Sequence, residues 1–270
     1  MEALHPGVKN LAAAVAGKRV LLVEDNQLSR ELAASFLEEM GFICSAAGNG
    51  KEALGMMEIV SFDLILMDLE MPVMDGLETV RHIRAKGLQM PVIALTAYNT
   101  VEENRRCLEA GMNACISKPF QKNELYSLIC RSLNLEEKAL EEQVSALRSS
   151  LPPEGGTIDL AYLERISNGR KGFFMSMIDL FLEQNVADVE ALRKAVETED
   201  FKTVRLLAHK IKISIGFVGL EKHIRQHLVE MEQLGENKTR PERIRKLFEL
   251  VDTVCARANE ELRNLKAKKK

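Results

Sequence analysis

The sequence predicts an α/β domain with a doubly wound, five-stranded parallel sheet, followed by an all-α antiparallel helical bundle. Three observations carry this. A length of 270 residues fits two domains at about 150 residues each better than one. Short apolar runs of strand length alternate with segments of helical period through residues 19–133, and beyond that only helical period remains. Apolar residues make up 46% and charged residues 29%, the balance of a folded chain rather than a disordered one.

Residues 1–18 are Ala-rich without a clear period and read as a leader or linker. The first strand is Arg19-Val-Leu-Leu-Val-Glu24, and further apolar runs follow at 42–46, 63–68, 91–96 and, more weakly, 113–117. Near-continuous apolar strands separated by helices mean a parallel sheet covered on both faces. Its active groups should gather at the carboxyl ends of the strands. Residues 134–157 read as a helical connector, with Leu140, Val144, Leu147 and Leu151 at helical spacing until Pro152-Pro153-Glu154-Gly155-Gly156 stops it. Residues 158–265 read as the bundle. Phe174, Ile178, Phe181, Val186, Val189, Leu192 and Val196 form one stripe, and Ile244, Leu247, Val251, Val254, Ala258 and Leu262 form another. Residues 266–270 read as a solvated basic tail.

Lys plus Arg number 37 against 40 Asp plus Glu, for a formal charge of -3. No overall electrostatic drive toward nucleic acid or an anionic membrane follows from that. Apolar runs are interrupted by charge too often for a membrane span, so the expected location is cytoplasmic. Cys44, Cys107, Cys115, Cys130 and Cys255 never fall in a C-x-x-C and read as small buried hydrophobes, not as a disulfide framework or thiolate metal site.

Three acids follow predicted strands: Glu24 and Asp25 after the first, Asp68 at the end of the third. Two carboxylates about 4 Å apart repel by roughly 4 kcal/mol at an effective dielectric near 20, so the cluster needs a cation. Oxygen ligands with open positions suit Mg²⁺. The bland reading of Glu24 and Asp25 is N-capping of the next helix. Thr96 and Lys118 end two further strands, and a hydroxyl and an ammonium facing the acids complete a site for a phosphoryl group on Asp68. No nucleotide-binding loop of the G-x-x-x-x-G-K-[ST] or G-x-G-x-x-G type is present.

Val-Glu24-Asp25-Asn, Met67-Asp68-Leu-Glu-Met-Pro72-Val-Met-Asp75-Gly76, Leu95-Thr96-Ala97 and Ser117-Lys118-Pro119-Phe resemble the response-regulator receiver domain over residues 19–133. The resemblance implies Asp68 as phospho-acceptor. It also implies Mg²⁺ held by Glu24, Asp25, Asp68 and the backbone carbonyl of Glu70, Thr96 as switch hydroxyl, Lys118 as phosphate-binding lysine, and a cis Lys118–Pro119 bond. Many receivers carry Tyr or Phe three residues before the lysine; Cys115 stands there instead, and Tyr98 is the alternative sensor of the same loop.

In the second half, Val204, Leu207, Ala208, Ile211, Ile215 and Val218 share a helix face, and His209 falls nearly opposite, toward solvent or a partner. Lys212 lies on the side of His209, where it would steady a phosphoryl group on the imidazole or pair with an acidic docking pocket. The stretch from Leu207 to Leu220 resembles the signature helix of histidine phosphotransfer (HPt) domains, with His209 as phospho-acceptor. That family usually has Gly four residues after the histidine, and Ile213 occupies the position here. Leu206, Ile213 and Phe217 then read as an apolar patch beside His209: a docking surface for a receiver helix, a cover over a damaged site, or packing against a bundle neighbour. Lys210, Lys212, Lys222 and Arg225 make the region locally basic. His223 and His227 have a metal-ligand spacing but no third ligand, and read as bundle residues.

The resemblances imply a phosphorelay protein, as in the carboxyl-terminal part of hybrid sensor kinases or in free-standing relay proteins. Its expected partners are a sensor histidine kinase and other receiver or HPt proteins, with no nucleic acid and no membrane. The expected chemistry is relay rather than turnover, and with no kinase ATP-binding segment recognisable the phosphate is expected from a separate partner or small phosphodonor. The competing reading is an interaction protein whose bundle binds a kinase or receiver without transferring phosphate.

Overall fold

The computed structural model describes residues 15–97, 100–135 and 157–269, and the chain divides into two compact units, 1–150 and 151–270. Most of the expected leader, nearly all of the connector with its Pro/Gly stretch, Tyr98 and Lys270 lie outside the described residues.

In the first unit, β1 (Arg19–Val23), β2 (Ile43–Ala47), β3 (Leu64–Asp68), β4 (Val92–Thr96) and β5 (Ala114–Ser117) alternate with α1 (Gln27–Met40), α2 (Gly50–Ile59), α3 (Gly76–Ala85), α4 (Val101–Glu109) and α5 (Lys122–Ser132). All strand pairs are parallel, in the order β2-β1-β3-β4-β5. Four strands start one residue later than the apolar runs suggest. Two of the displaced residues act through side chains at strand entry: an Asp63 carboxylate oxygen accepts from Arg19 N at 2.8 Å, and Asn113 Oδ1 accepts from Val92 N at 2.8 Å. Val20 to Val23 and every residue of β3 and β4 are buried, as covered parallel strands require. Strand order reverses across β1, which pairs with β2 on one side and β3 on the other. A crevice is expected at the carboxyl ends of β1 and β3, where such a switch occurs.

Local chemistry sets the helix starts. Asn26 caps α1 by accepting from Ser29 N at 3.0 Å, and Asp75 caps α3 by accepting from Glu78 N at 2.7 Å. The capping reading of Glu24 and Asp25 is therefore corrected: the next residue caps the helix, and both acids are left to the crevice.

The second unit contains α6 (Ala161–Ser167), α7 (Lys171–Glu197), α8 (Phe201–Ser214), a 3₁₀ turn (Ile215–Val218), α9 (Glu221–Asn237) and α10 (Pro241–Lys269). Helix α8 packs on both α7 and α9, and α10 packs on the same two. The predicted stripe of α7 needs one correction. Val186 is exposed, while Asn185 and Asp188 are buried in its place. At helical period the row from Phe181 runs through 185, not 186. Asn185 is accommodated by donating to Asn259 Oδ1 at 3.1 Å. The basic run is likewise not a free tail, because α10 continues through it to Lys269 and the Lys266 ammonium pairs with Asp179 of α7.

Cys107, Cys130 and Cys255 are buried, Cys44 and Cys115 only partly, and all are free thiols. No helix among the described residues is long and apolar enough to cross a membrane.

Candidate functional site

The first unit brings its sequence-selected residues into one pocket. Carboxylate oxygens of Glu24, Asp25 and Asp68 lie within 4.8 Å of one another. Glu24 and Asp68 are buried, and Asp25 partly so. Lys118, carried past the end of β5, reaches both buried acids: its Nζ is 3.0 Å from Glu24 Oε2 and 2.8 Å from Asp68 Oδ2. Thr96, also buried, ends β4, and its carbonyl accepts from Lys118 N at 2.6 Å. Glu70 enters through its backbone, with its N–H donating to Asp68 Oδ1 at 3.4 Å. The Lys118–Pro119 bond is cis.

Burial drives the Glu24 carboxyl well above its ordinary range; the neighbouring Asp68 adds to this, and Lys118 opposes it. For Lys118, burial alone would lower the pKa, but Asp68 and Glu24 outweigh it and hold the ammonium above the usual lysine range. One cation thus faces three acids in a pocket where Glu24, Asp68 and Lys118 are buried. A Cβ at Gly76 would lie 2.1 Å from the Asp68 carbonyl oxygen, so only glycine lets the start of α3 close over the end of β3. Among the described residues this is the one group of three or more ligand-type side chains gathered tightly enough for a metal ion; His223 and His227 are not part of such a group.

The second unit corrects the sequence picture of His209. Its position opposite the α7-facing stripe turns it toward α9 rather than solvent. It is 5% exposed and Lys212 1% exposed, because α8 lies between two neighbours. His209 Nδ1 is 2.7 Å from Glu232 Oε1 of α9. Lys212 Nζ donates to Glu232 Oε1 at 2.7 Å and to Oε2 at 2.6 Å. Burial alone would raise the Glu232 carboxyl, but the His209 hydrogen bond and the Lys212 ammonium prevail and hold it below its ordinary range.

Glu232 was not legible beforehand, since nothing local distinguishes it from the other acids of α9. The nearest signal is Gly235, whose absent side chain lets α9 approach Phe201 and Arg205 of α8; a Cβ there would sit 2.9 Å from the Phe201 carbonyl oxygen.

Of the three readings of the apolar patch, the structure favours packing against a bundle neighbour. Ile213 and Phe217 are buried, the latter edge-on to Tyr162 of α6 with ring centroids 5.8 Å apart, so they pack within the bundle. The local basic charge is largely paired, with Lys210 at 2.9 Å from Asp188, Lys212 on Glu232, and Arg225 at 3.8 Å from Glu221.

The first unit thus sets a carboxylate pocket with one buried lysine at a parallel-sheet switch point, and the second holds a histidine against a carboxylate paired with a lysine. The chain carries two recognisable domains: the response regulator receiver domain matches residues 20–130, and the Hpt domain matches residues 176–267. It is similar to the sensor histidine kinase GacS of Pseudomonas protegens, 31% identical over 212 residues, covering 75% of this chain and 23% of that protein. It is also similar to the sensor histidine kinase RcsC of Salmonella typhi, 41% identical over 106 residues, covering 39% of this chain and 11% of that one. The chain thus spans less than a quarter of either relative. Among solved structures, the receiver domain of sensor histidine kinase PA1611 from Pseudomonas aeruginosa PAO1, with a magnesium ion coordinated in its active site cleft, is 37% identical. The match covers 44% of this chain and 99% of that one, at a TM-score of 0.42. The role that follows from the two domains is two-component phosphorelay signalling.

Proposed function

We propose that Asp68 accepts a phosphoryl group and that His209 exchanges it, with a histidine kinase, other receivers or other HPt proteins as partners. The observation that carries the reading is the convergence of Glu24, Asp25, Asp68 and Lys118 in one buried pocket. An Asp68 carboxylate oxygen forms the new bond to phosphorus as the donor's bond breaks and its leaving group takes the electron pair. Lys118, already 2.8 Å from Asp68, meets the charge of the phosphoryl oxygens, and Thr96 offers a hydroxyl at the adjacent strand end. The donor set of Glu24, Asp25 and Asp68 with the Glu70 carbonyl is all oxygen and net negative, which fits Mg²⁺. When bound, that ion neutralises charge on the phosphoryl oxygens.

Labelling with acetyl phosphate and Mg²⁺ tests this on the wild type, Asp68→Ala and His209→Ala. The expected products are a base-labile phosphate lost in Asp68→Ala and an acid-labile, base-stable phosphate lost in His209→Ala. The 5% exposure of His209 favours a second reading, in which the bundle only binds its partner. If His209 stays unlabelled both here and with outside phospho-receivers, that reading replaces relay for the second unit.

A further inference from the structure

We infer that Arg30, in the first turn of α1, is a positioning residue for the metal ligands: its guanidinium fixes the backbone of Asp25, and with it the direction in which that carboxylate enters the pocket. The inference rests on the reading of Glu24, Asp25 and Asp68 as Mg²⁺ ligands, and it names what holds the most exposed of the three in place. Asp25 stands between the end of β1 and Asn26, the cap of α1. Its neighbours are tied down. Glu24 N donates to the Ala47 carbonyl at 3.0 Å, Glu24 Oε1 accepts from Asn26 N at 3.2 Å, and Asn26 Oδ1 accepts from Ser29 N at 3.0 Å. Arg30 closes the same turn, since its own N–H donates to the Asn26 carbonyl at 2.9 Å. Helix side chains lean toward the N-terminus, and that of Arg30 reaches back over the entry loop. Its Nη1 is 2.6 Å from the Glu24 carbonyl oxygen and 3.3 Å from the Asp25 carbonyl oxygen.

A peptide unit is planar, so holding its carbonyl holds the whole unit. The Glu24 carbonyl belongs to the unit before Asp25, and the Asp25 carbonyl to the unit after it. With both held to one nitrogen, φ and ψ of Asp25 lose most of their freedom and its Cα–Cβ bond points one way. This matters because Asp25 is only half-buried, while Glu24 and Asp68 are buried and their oxygens lie within 4.8 Å of its own. Like charges at that distance push the loop outward. The two carbonyl contacts oppose that push through the backbone, and a charged donor makes them stronger than neutral hydrogen bonds. Mg²⁺ sharpens the requirement, since it demands near-ideal octahedral geometry where Ca²⁺ accepts irregular sets of oxygen ligands. The charge of Arg30 works in the opposite sense to its geometry. A guanidinium beside the pocket repels a divalent cation, so removing the charge alone would tighten metal binding, whereas losing the carbonyl contacts loosens it.

The test is calorimetric titration of Mg²⁺, and separately of Ca²⁺, into the full chain as wild type, Arg30→Met and Arg30→Gln. Both variants are neutral, and glutamine is too short to reach both carbonyls; it serves if Arg30→Met does not fold. Each is expected to raise the Mg²⁺ dissociation constant about tenfold, the lower end of what groups orienting metal ligands contribute. The dissociation constant for Ca²⁺ should rise by a smaller factor. Mg²⁺ binding as tight as in the wild type, or tighter, overturns the inference. An equal loss for both ions overturns it too, because general damage to the fold does not distinguish a geometrically strict ion from a tolerant one. A wild type that takes up no Mg²⁺ refutes instead the ligand reading beneath it.

Discussion

Glu232 touches both His209 and Lys212, so its charge state links the bundle's stability to pH. Burial raises its pKa, yet the hydrogen bond from His209 and the nearby Lys212 bring it below the ordinary carboxylate range. An acid whose pKa is lowered by folding contributes stability that is present above its unfolded value and lost as pH falls through the folded one. Thermal melts should therefore show Glu232→Gln less stable than wild type at pH 7, by about 1.5 to 3 kcal/mol, the usual worth of hydrogen bonds to a charged group. The gap should close as pH falls below the ordinary carboxylate value of 4.5. A gap of the same size at low pH would show that the charge is not its origin. Lys118 poses the converse case, a buried cation shared by two buried acids. Lys118→Met leaves those acids facing each other and should cost about 3 to 5 kcal/mol. Denaturant titrations with and without Mg²⁺ check this, since added Mg²⁺ should restore part of the loss.

Two glycines decide how elements meet around these side chains. Gly235 lies inside α9, where replacement by alanine ordinarily helps a helix by about 0.5 to 1 kcal/mol. Here the new methyl would stand 2.9 Å from the Phe201 carbonyl oxygen and 3.2 Å from Arg205 N of α8. The sign should reverse, and Gly235→Ala should destabilise by roughly 1 to 3 kcal/mol, read from the denaturation midpoint. Gly76→Ala meets the Asp68 backbone at 2.1 Å, so it should weaken Mg²⁺ binding as well as stability, measured by calorimetric titration. The strands were legible as elements because covered parallel strands write continuous apolar runs, and Val20 to Val23 and Leu64 to Met67 do so. The α7 stripe was legible except at Val186, because the seam accepts Asn185 once Asn259 is there to bond it, and that partner lies 74 residues away in sequence.

At the scale of the whole chain, the two units have separate cores, one built on a sheet and one on helices. Ligand linkage then predicts an asymmetric response. Mg²⁺ at about a hundredfold its dissociation constant should add about 2.7 kcal/mol to the unit that holds the carboxylate pocket. The helical unit, which has no comparable cluster among its described residues, should not respond. Calorimetry of the full chain should resolve two transitions, of which only one moves with Mg²⁺, and Asp25→Asn should reduce that movement. A shift of both transitions together would mean that the units unfold as one.

The sequence by itself determined the fold class of both units and the composition of the first pocket. A parallel sheet lines up its carboxyl ends, so residues that follow strands are neighbours wherever they stand in the chain; Glu24, Asp25, Asp68, Thr96 and Lys118 are readable for that reason. The histidine site had no such rule to help it. Which face of α8 meets α9, and which acid of α9 arrives opposite His209, follow from interhelical packing permitted at Gly235. The burial of His209, the pairing of Lys212 and the arrival of Glu232 between them were therefore decided only by the tertiary structure, because helical period identifies a face but not the side chains that a neighbouring helix presents to it.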